Sequence, residues 1–225
     1  MILELPREEL GQLLQKQIAN LFLLRDDERS VISDSLDTAL RRSEFCFSFS
    51  RNKYFRKNGQ TYFNPFHSGQ YAIFLYFVSN TIFHSNPESR LLADRIYYLN
   101  KCLNGIDLFY EVNMPKVFSL GHPVGTVLGR AKYGEYFGVS QNCTVGNSDG
   151  KYPVFGSNVK LMAGSMVLGS CNIGDNVIFS ANSYTKDTDV PPCSVVFGSV
   201  PNLIIKREES SYFNRLGGLD HNSAN

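Results

Sequence analysis

Four side chains in the sequence exchange protons near neutral pH, the histidines His67, His84, His122 and His221. His122 stands before a proline in the loop sequence GHPVG, and His67 lies in NPFHSGQY at a predicted helix start; each is an imidazole able to take or return a proton. His84 closes a predicted helix and reads as a cap, and His221 lies in a polar tail, LDHNSAN, expected to be mobile. The five cysteines, Cys46, Cys102, Cys143, Cys171 and Cys193, are odd in number, scattered and without a CxxC pair. That pattern predicts reduced, mostly buried thiols rather than a disulfide frame or a zinc site, and no metal.

The elements that must position these residues divide the chain in two. A length of 225 residues corresponds, at roughly 150 per domain, to one large domain with an appendage or to two small ones. Lys plus Arg number 22 and Asp plus Glu 21, with no basic run, so an electrostatic footprint for nucleic acid or anionic lipid is missing. The hydrophobic share of 43% is enough for a sizeable core. The N-terminal MILELPREELGQLL has early acidic residues and no apolar h-region, and the longest apolar run, Tyr71 to Phe83, is interrupted by Ser79, Asn80 and Thr81. The expected location is the cytoplasm.

Residues 1–105 carry helical periodicity. Leu10, Leu13, Leu14, Ile18, Leu21 and Phe22 form one apolar face, which Asp26 and Asp27 break; Val31, Ile32, Leu36, Ala39 and Leu40 form another, with Ser30 as the N-cap. Phe45 to Phe66, with Asn58-Gly59 and Asn64-Pro65, reads as a turn-rich connection. Two further helices are predicted, over about 68–83 and about 87–103, the second with Pro87 at N1 and Gly105 as its stop.

From residue 106 the period becomes six. Val127, Tyr133, Val139 and Val145, then Phe155, Leu161, Val167, Ile173 and Phe179, are all apolar at hexad spacing. The fifth position of each hexad holds Ala131, Phe137, Cys143, Val159, Ser165, Cys171, Val177 and Ser183, all small or apolar. Gly134, Gly146, Gly156 and Gly174 follow hexad residues and mark corners whose backbone conformation other residues would adopt at a cost. Short strands and corners repeating by six predict a parallel β-helix of about five coils, against the period two of an antiparallel sandwich. The expected organisation is α+β: an α-helical N-terminal domain over 1–105, the β-helix over 106–206 and a C-terminal tail over 207–225.

GHPVGTVLGRAKYGEYFGVSQNCTVG, KYPVFGSNVKLMAGSMVLGSCNIGDNV and DVPPCSVVFGSVPNLIIK resemble the bacterial serine acetyltransferases of the left-handed β-helix, hexapeptide-repeat acyltransferase class, over roughly residues 95–206. The frontal helices are similar to that family's N-terminal arrangement. The resemblance implies acetyl transfer from acetyl-CoA to a hydroxyl. It makes His122 the general base, matching the histidine of the family's DHxxG, and Asp107 in GIDLFY its supporting acid, fifteen residues earlier. In that role the aspartate holds the imidazole tautomer and stabilises the imidazolium. The acetyl-CoA positions that match are Ala163 and Gly164 in LMAGSM and Ser180 and Ala181 in FSANSY, with Lys186 and Lys206 near the phosphates. A β-helix carbonic anhydrase is excluded, since it needs three histidines on zinc and only His122 lies in this repeat region. A homotrimer is implied, and the frontal helices could pair trimers into a hexamer.

The acceptor side departs from the family. The acidic residue before the catalytic histidine is Gly121 here, the Arg-His of RHP is Lys151-Tyr152, and the terminal G-V-P reads Gly198-Ser199-Val200-Pro201. An amino-acid acceptor thereby loses the obvious partners for its ammonium and carboxylate, a cost of several kcal/mol in a desolvated pocket. The acceptor expected on this ground is a sugar hydroxyl in surface polysaccharide (capsule or O-antigen) biosynthesis, contacted by Gln141, Asn142 and Tyr152 with Tyr71 and His67. The alternatives are a serine O-acetyltransferase of cysteine biosynthesis and a non-catalytic scaffold, the latter opposed by the presence of both Asp107 and His122.

Overall fold

A computed structural model describes residues 1–215 and Leu219; the predicted tail over 207–225 is described as far as residue 215 and at Leu219, with Phe213 packed against Ile178 and Val195, and His221 lies outside the described residues. Helix α1, Arg7–Leu21, opens with Glu8 and Glu9, which complement the partial positive charge of its first turn. Helix α2, Asp26–Ser48, starts four residues before the predicted cap. Asp26, Asp27 and Glu28 fill its first turn, the Arg25 N–H donates to Glu28 Oε2 at 2.9 Å, and Ser30 sits inside the helix with its hydroxyl donating to the Asp27 carbonyl at 3.0 Å. The two aspartates therefore begin a helix instead of ending one. Helix α2 also runs four residues into the predicted connection, to Ser48. Strands β2, Arg56–Lys57, and β3, Gln60–Phe63, then make a hairpin over Asn58 and Gly59, at φ 53° and 77°, and β1, Ile2–Leu3, pairs parallel with β3.

Helix α3, Ser68–Ser85, is buried on every side from Gly69 to Ile82. A helix apolar all round belongs in the middle of a core. Its few polar groups are matched: the Tyr76 hydroxyl donates to the Val112 carbonyl at 2.6 Å and Asn80 Nδ2 to the Tyr110 carbonyl at 2.7 Å. Helix α4, Arg90–Asn104, follows a 3₁₀ turn at Pro87–Ser89 and stops at Gly105, whose φ of 65° provides a left-handed C-cap. Arg95 of α4 pairs with Glu28 of α2, both largely buried. Burial alone would push the Glu28 pKa up; the hydrogen bonds and charges of Arg95 and Arg25 outweigh it and hold the carboxyl below its ordinary value. The stability this adds is present above the unfolded pKa and is lost as pH falls through the lower folded one. Arg95→Met is expected to cost about 3 kcal/mol, read as a lower urea midpoint at pH 7, with a difference from wild type that shrinks once Glu28 is protonated.

After Gly105 the chain coils into a parallel β-helix with three faces. The first face carries β4, Ile106–Leu108, β6, Thr126–Leu128, β8, Thr144–Gly146, β11, Met166–Leu168, and β14, Tyr184–Lys186. The second carries β5, Phe118–Leu120, β7, Phe137–Val139, β10, Val159–Leu161, β13, Val177–Phe179, β15, Ser194–Phe197, and finally β16, Ile204–Arg207, which pairs antiparallel with β15. The short third face holds β9, Val154–Phe155, and β12, Asn172–Ile173.

The hexad residues from Tyr133 to Phe179 point inward and are buried. Val127 does not, with 38% exposure, because Leu128 pairs with Val145 and takes the inward place. The corner glycines also differ from expectation. Gly134, Gly156 and Gly174 are required by crowding and not by a left-handed backbone: a Cβ on Gly134 would lie 2.2 Å from the Gly156 carbonyl oxygen, and one on Gly174 would lie 2.5 Å from the Pro192 nitrogen. One continuous core joins the β-helix to the helices, since Leu75, Phe77 and Val78 belong to the same cluster as Phe118, Leu161 and Phe179. Among the described residues no helix is long and apolar enough to cross a membrane.

Candidate active site

The corner that turns the second face into the first gathers most of the candidates. Gly121 N–H donates to the Val139 carbonyl, Ser140 to Leu161, Met162 to Phe179 and Ser180 to Val196, at 2.8, 2.9, 3.0 and 2.9 Å, so these residues stack coil upon coil. The column that follows is Val124, Gln141, Ala163 and Ala181, spaced by roughly 4.8 Å per coil, because Asn142 N–H donates to the Val124 carbonyl, Gly164 to Gln141 and Asn182 to Ala163, and His122 and Pro123 are two extra residues in the top turn, beside the end of the column. Left-handed residues fix the turn. Gly125, Asn142, Gly164 and Asn182 have φ of 73°, 57°, 72° and 59°, and asparagine tolerates that region better than most residues. Gly164 has a second reason: a Cβ there would meet Asn182 Oδ1 at 2.3 Å. Asn142 thus serves the corner backbone, its Oδ1 lying 2.2 Å from where a Cβ on Gly125 would sit.

His122 is exposed and itself held at φ 51°, an unusual backbone for an imidazole. Such strain persists only where surrounding structure imposes it. Pro123 follows it, and Gly125 N–H donates to the Gly105 carbonyl at 2.9 Å, so the loop is tied back to the end of α4. The N-terminus of α3 presses on the same corner, since a Cβ on Gly69 would lie 2.8 Å from the Leu120 carbonyl oxygen. That contact brings His67 beside His122. His67 caps α3, its Nδ1 accepting from the Gln70 N–H at 3.3 Å, with its ring edge-on to Phe55 at 5.5 Å. Burial lowers the His67 pKa, and the nearby His122 adds to that effect.

The other candidates are placed elsewhere. Tyr71, one turn further along α3, is 3% exposed and its hydroxyl donates to Gln17 Oε1, so its ring packs in the helical core and cannot stack on an acceptor. Asp107 projects outward from β4 opposite Val127 and accepts from the Tyr97 hydroxyl and Lys101 Nζ, both at 2.6 Å. Among the described residues it shares no hydrogen bond with His122. Lys151 and Tyr152 belong to a loop on a different corner, where Ser148 and Lys151 bracket a tight turn at Asp149 and Gly150. Lys186, at the end of β14, leads into that same corner, where a Cβ on Gly169 would touch both Ser148 and Asp187. Lys206 returns towards the column: its Nζ lies 5.7 Å from the ring centre of Phe197, which precedes the last turn of this corner.

A cavity of about 260 Å³ between the second face and the helices reaches Gly121, and it contains a residue that sequence reasoning passed over, the buried Lys160 of β10. A lysine flanked by apolar residues reads as an exposed strand position. The available signal was Gly138, which leaves its place on the neighbouring strand empty. Among the described residues no group of three or more His, Cys, Asp or Glu side chains stands together as a metal site.

Residues 152–187 match the family described as bacterial transferase hexapeptide (six repeats). The serine acetyltransferase of Staphylococcus epidermidis is 29% identical over 148 residues, covering 63% of this chain and 67% of that protein. Among solved structures, the serine acetyltransferase of Vibrio cholerae superposes with a TM-score of 0.69 at 19% identity, covering 90% of this chain and 80% of that one. A serine acetyltransferase in complex with CoA superposes at 0.63 with 16% identity, covering 89% and 84%. The fold is that of these enzymes. The same likenesses overturn the expectation of a saccharide acceptor, because the relatives that match are serine acetyltransferases.

Proposed function

We propose that this hexapeptide-repeat acyltransferase moves the acetyl group of acetyl-CoA to the side-chain hydroxyl of L-serine, with His122 as general base. The observation that carries the reading is the corner itself, where an exposed histidine with a left-handed backbone stands beside the end of a column that finishes in Ala163 and Ala181, on the fold of the serine acetyltransferases. His122 takes the hydroxyl proton as the serine oxygen attacks the thioester carbonyl. The imidazolium then returns that proton to the CoA thiolate as the carbon–sulfur bond breaks, so no enzyme-bound acyl intermediate is needed. Holding both substrates along one corner supplies the positioning, which is the larger part of the rate in direct transfer.

Ala163, Gly164, Ser180 and Ala181 present little side-chain bulk, which suits an extended pantetheine arm along the column, and Lys206 stands near the end where phosphates would lie. Asp107, held by Tyr97 and Lys101, supports the site from β4. Val124, at the end of the column, and Met162 and Met166 beside it are 61, 44 and 38% exposed. Packing against a second copy would cover them, which favours a homotrimer. His67, capping α3 beside His122, faces the acceptor side.

The test is release of free thiol from acetyl-CoA with L-serine present or absent. Serine-dependent release is expected, and acetyl-CoA hydrolysis unaffected by serine would sink the reading. Acetyl-CoA at a hundred times its Kd should also stabilise the fold by about 2.7 kcal/mol, seen as a rise in Tm, and Ala163→Asp should abolish that rise.

A further inference from the structure

A second cavity, of about 400 Å³, lies between α2, α3 and the stretch 114–116 that leads into β5. Arg41, Arg42 and Phe45 come from α2, three and four residues apart and so on one face of the helix. Phe77 of α3 adds an apolar surface, as do Met114 and Pro115 on the other side, and Lys116 brings a third positive charge. Among the described residues no acidic side chain lines this cavity.

Arg42 has no structural reason to be charged where it stands. Its guanidinium carbon lies 4.4 Å from the centre of the Phe77 ring, and Nη1 donates to Thr81 Oγ1 at 3.1 Å. Burial lowers its pKa, while Tyr76 and Cys46 act the other way. The acids of the neighbourhood are engaged elsewhere. Asp37, which also feels the charge of Arg41, pairs with Arg7, and Glu44 pairs with the N-terminal ammonium. The Glu135 carboxylate accepts the backbone N–H groups of Lys116 and Val117 at 3.3 and 3.1 Å. Arg41 itself donates only to Thr38 Oγ1, at 2.9 Å. A guanidinium half-withdrawn from water, with two more cations on the same cavity, is costly to keep unless an anion enters. Arginine carries five N–H donors in a planar fork, and the contacts to Thr81 and Tyr76 leave some of them to a ligand. Such a fork matches a carboxylate two bonds at a time.

Charge alone does not describe the cavity. A bare inorganic anion would leave Phe45, which is 47% exposed, and the Met114-Pro115 wall facing water. At about 30 Å³ per water the volume equals roughly thirteen waters, enough for one ring-sized molecule. We infer that this cavity is a second ligand site, which takes a small carboxylate with an apolar, ring-sized body, the carboxylate on Arg42 with Arg41 and Lys116 beside it and the body on Phe45, Met114 and Pro115. The site and the His122 corner stand at opposite ends of β5: Lys116 precedes the strand by two residues, and His122 follows it by two. A ligand here touches neither the column nor His67, and its binding is independent of acetyl transfer to serine.

Phenylacetate is the probe, titrated into the full chain by calorimetry. 2-Phenylethanol keeps the body without the charge, acetate keeps the carboxylate without the body, and inorganic phosphate tests for an anion of any kind. One saturable site with a Kd of roughly 1 mM or tighter is expected for phenylacetate, and none for the three controls over the same range. Saturating acetyl-CoA should leave that Kd unchanged. Arg42→Met, which keeps an apolar stem against Phe77, should weaken the probe roughly 10- to 100-fold. The double variant Arg41→Gln with Lys116→Gln, both at exposed positions, should weaken it about 10-fold with Tm near wild type, so the test does not depend on Arg42→Met folding. Wild type that shows no saturable phenylacetate binding overturns the inference, as does phosphate binding as tightly as phenylacetate. So do an unchanged Kd in the double variant and displacement of the probe by acetyl-CoA, which would move it to the His122 corner.

Discussion

His122→Asn lowers kcat roughly 10²- to 10⁴-fold, the usual contribution of a general base, while acetyl-CoA binding and Tm stay close to wild type. Asparagine is the informative replacement because residue 122 sits at φ 51°, where alanine would add backbone strain to the loss of the base. The measurement is thiol release at saturating serine together with a thermal unfolding curve. A variant that keeps a third or more of its turnover would remove His122 from the proton path. His67→Asn separates the two neighbouring imidazoles. Asparagine can still cap α3, so the helix start is preserved and the expected loss is confined to the serine KM.

The second large effect is on stability. Gly134→Ala places a Cβ 2.2 Å from the Gly156 carbonyl oxygen and 2.4 Å from its carbon, and both belong to backbone that cannot move without parting two coils. We expect a loss of about 3 kcal/mol or more, measured as the shift in urea midpoint at constant m-value. Gly150→Ala is the control. Gly150 has φ 75° with nothing within 4 Å of its missing Cβ, so only backbone strain is added, about 1 kcal/mol. Equal losses at the two positions would mean that the coils are not as closely stacked at Gly134 as described.

These glycines show what was legible in the sequence and what was not. Their spacing announced the coil, yet the reason for them lies in the approach of one coil to the next, a through-space distance that a hexad pattern does not encode. The period was clear from Tyr133 onward but misassigned Val127, because Leu128 pairs with Val145 and the coil between them is one residue shorter than three hexads. His122 was visible through its motif. Lys160 was not, because whether a strand lysine is solvated depends on what covers its face, and here the helical half and Leu219 do so. Tyr71 failed for the same reason in reverse: α3 is buried all round, so no side of it shows a polar stripe that would reveal its orientation.

The antiparallel pairing of β16 with β15 has a consequence for assembly. Every earlier strand of that face runs in one direction, so each coil is a template on which a further parallel coil, from the same or another molecule, could be laid. Reversing the last strand changes the hydrogen-bonding polarity of the outermost edge, and at the opposite end α4 leads straight into β4 and occupies the space above it. The stack is thus closed to end-to-end polymerisation at both poles, and a β-helix built of strand ladders can remain discrete at high concentration.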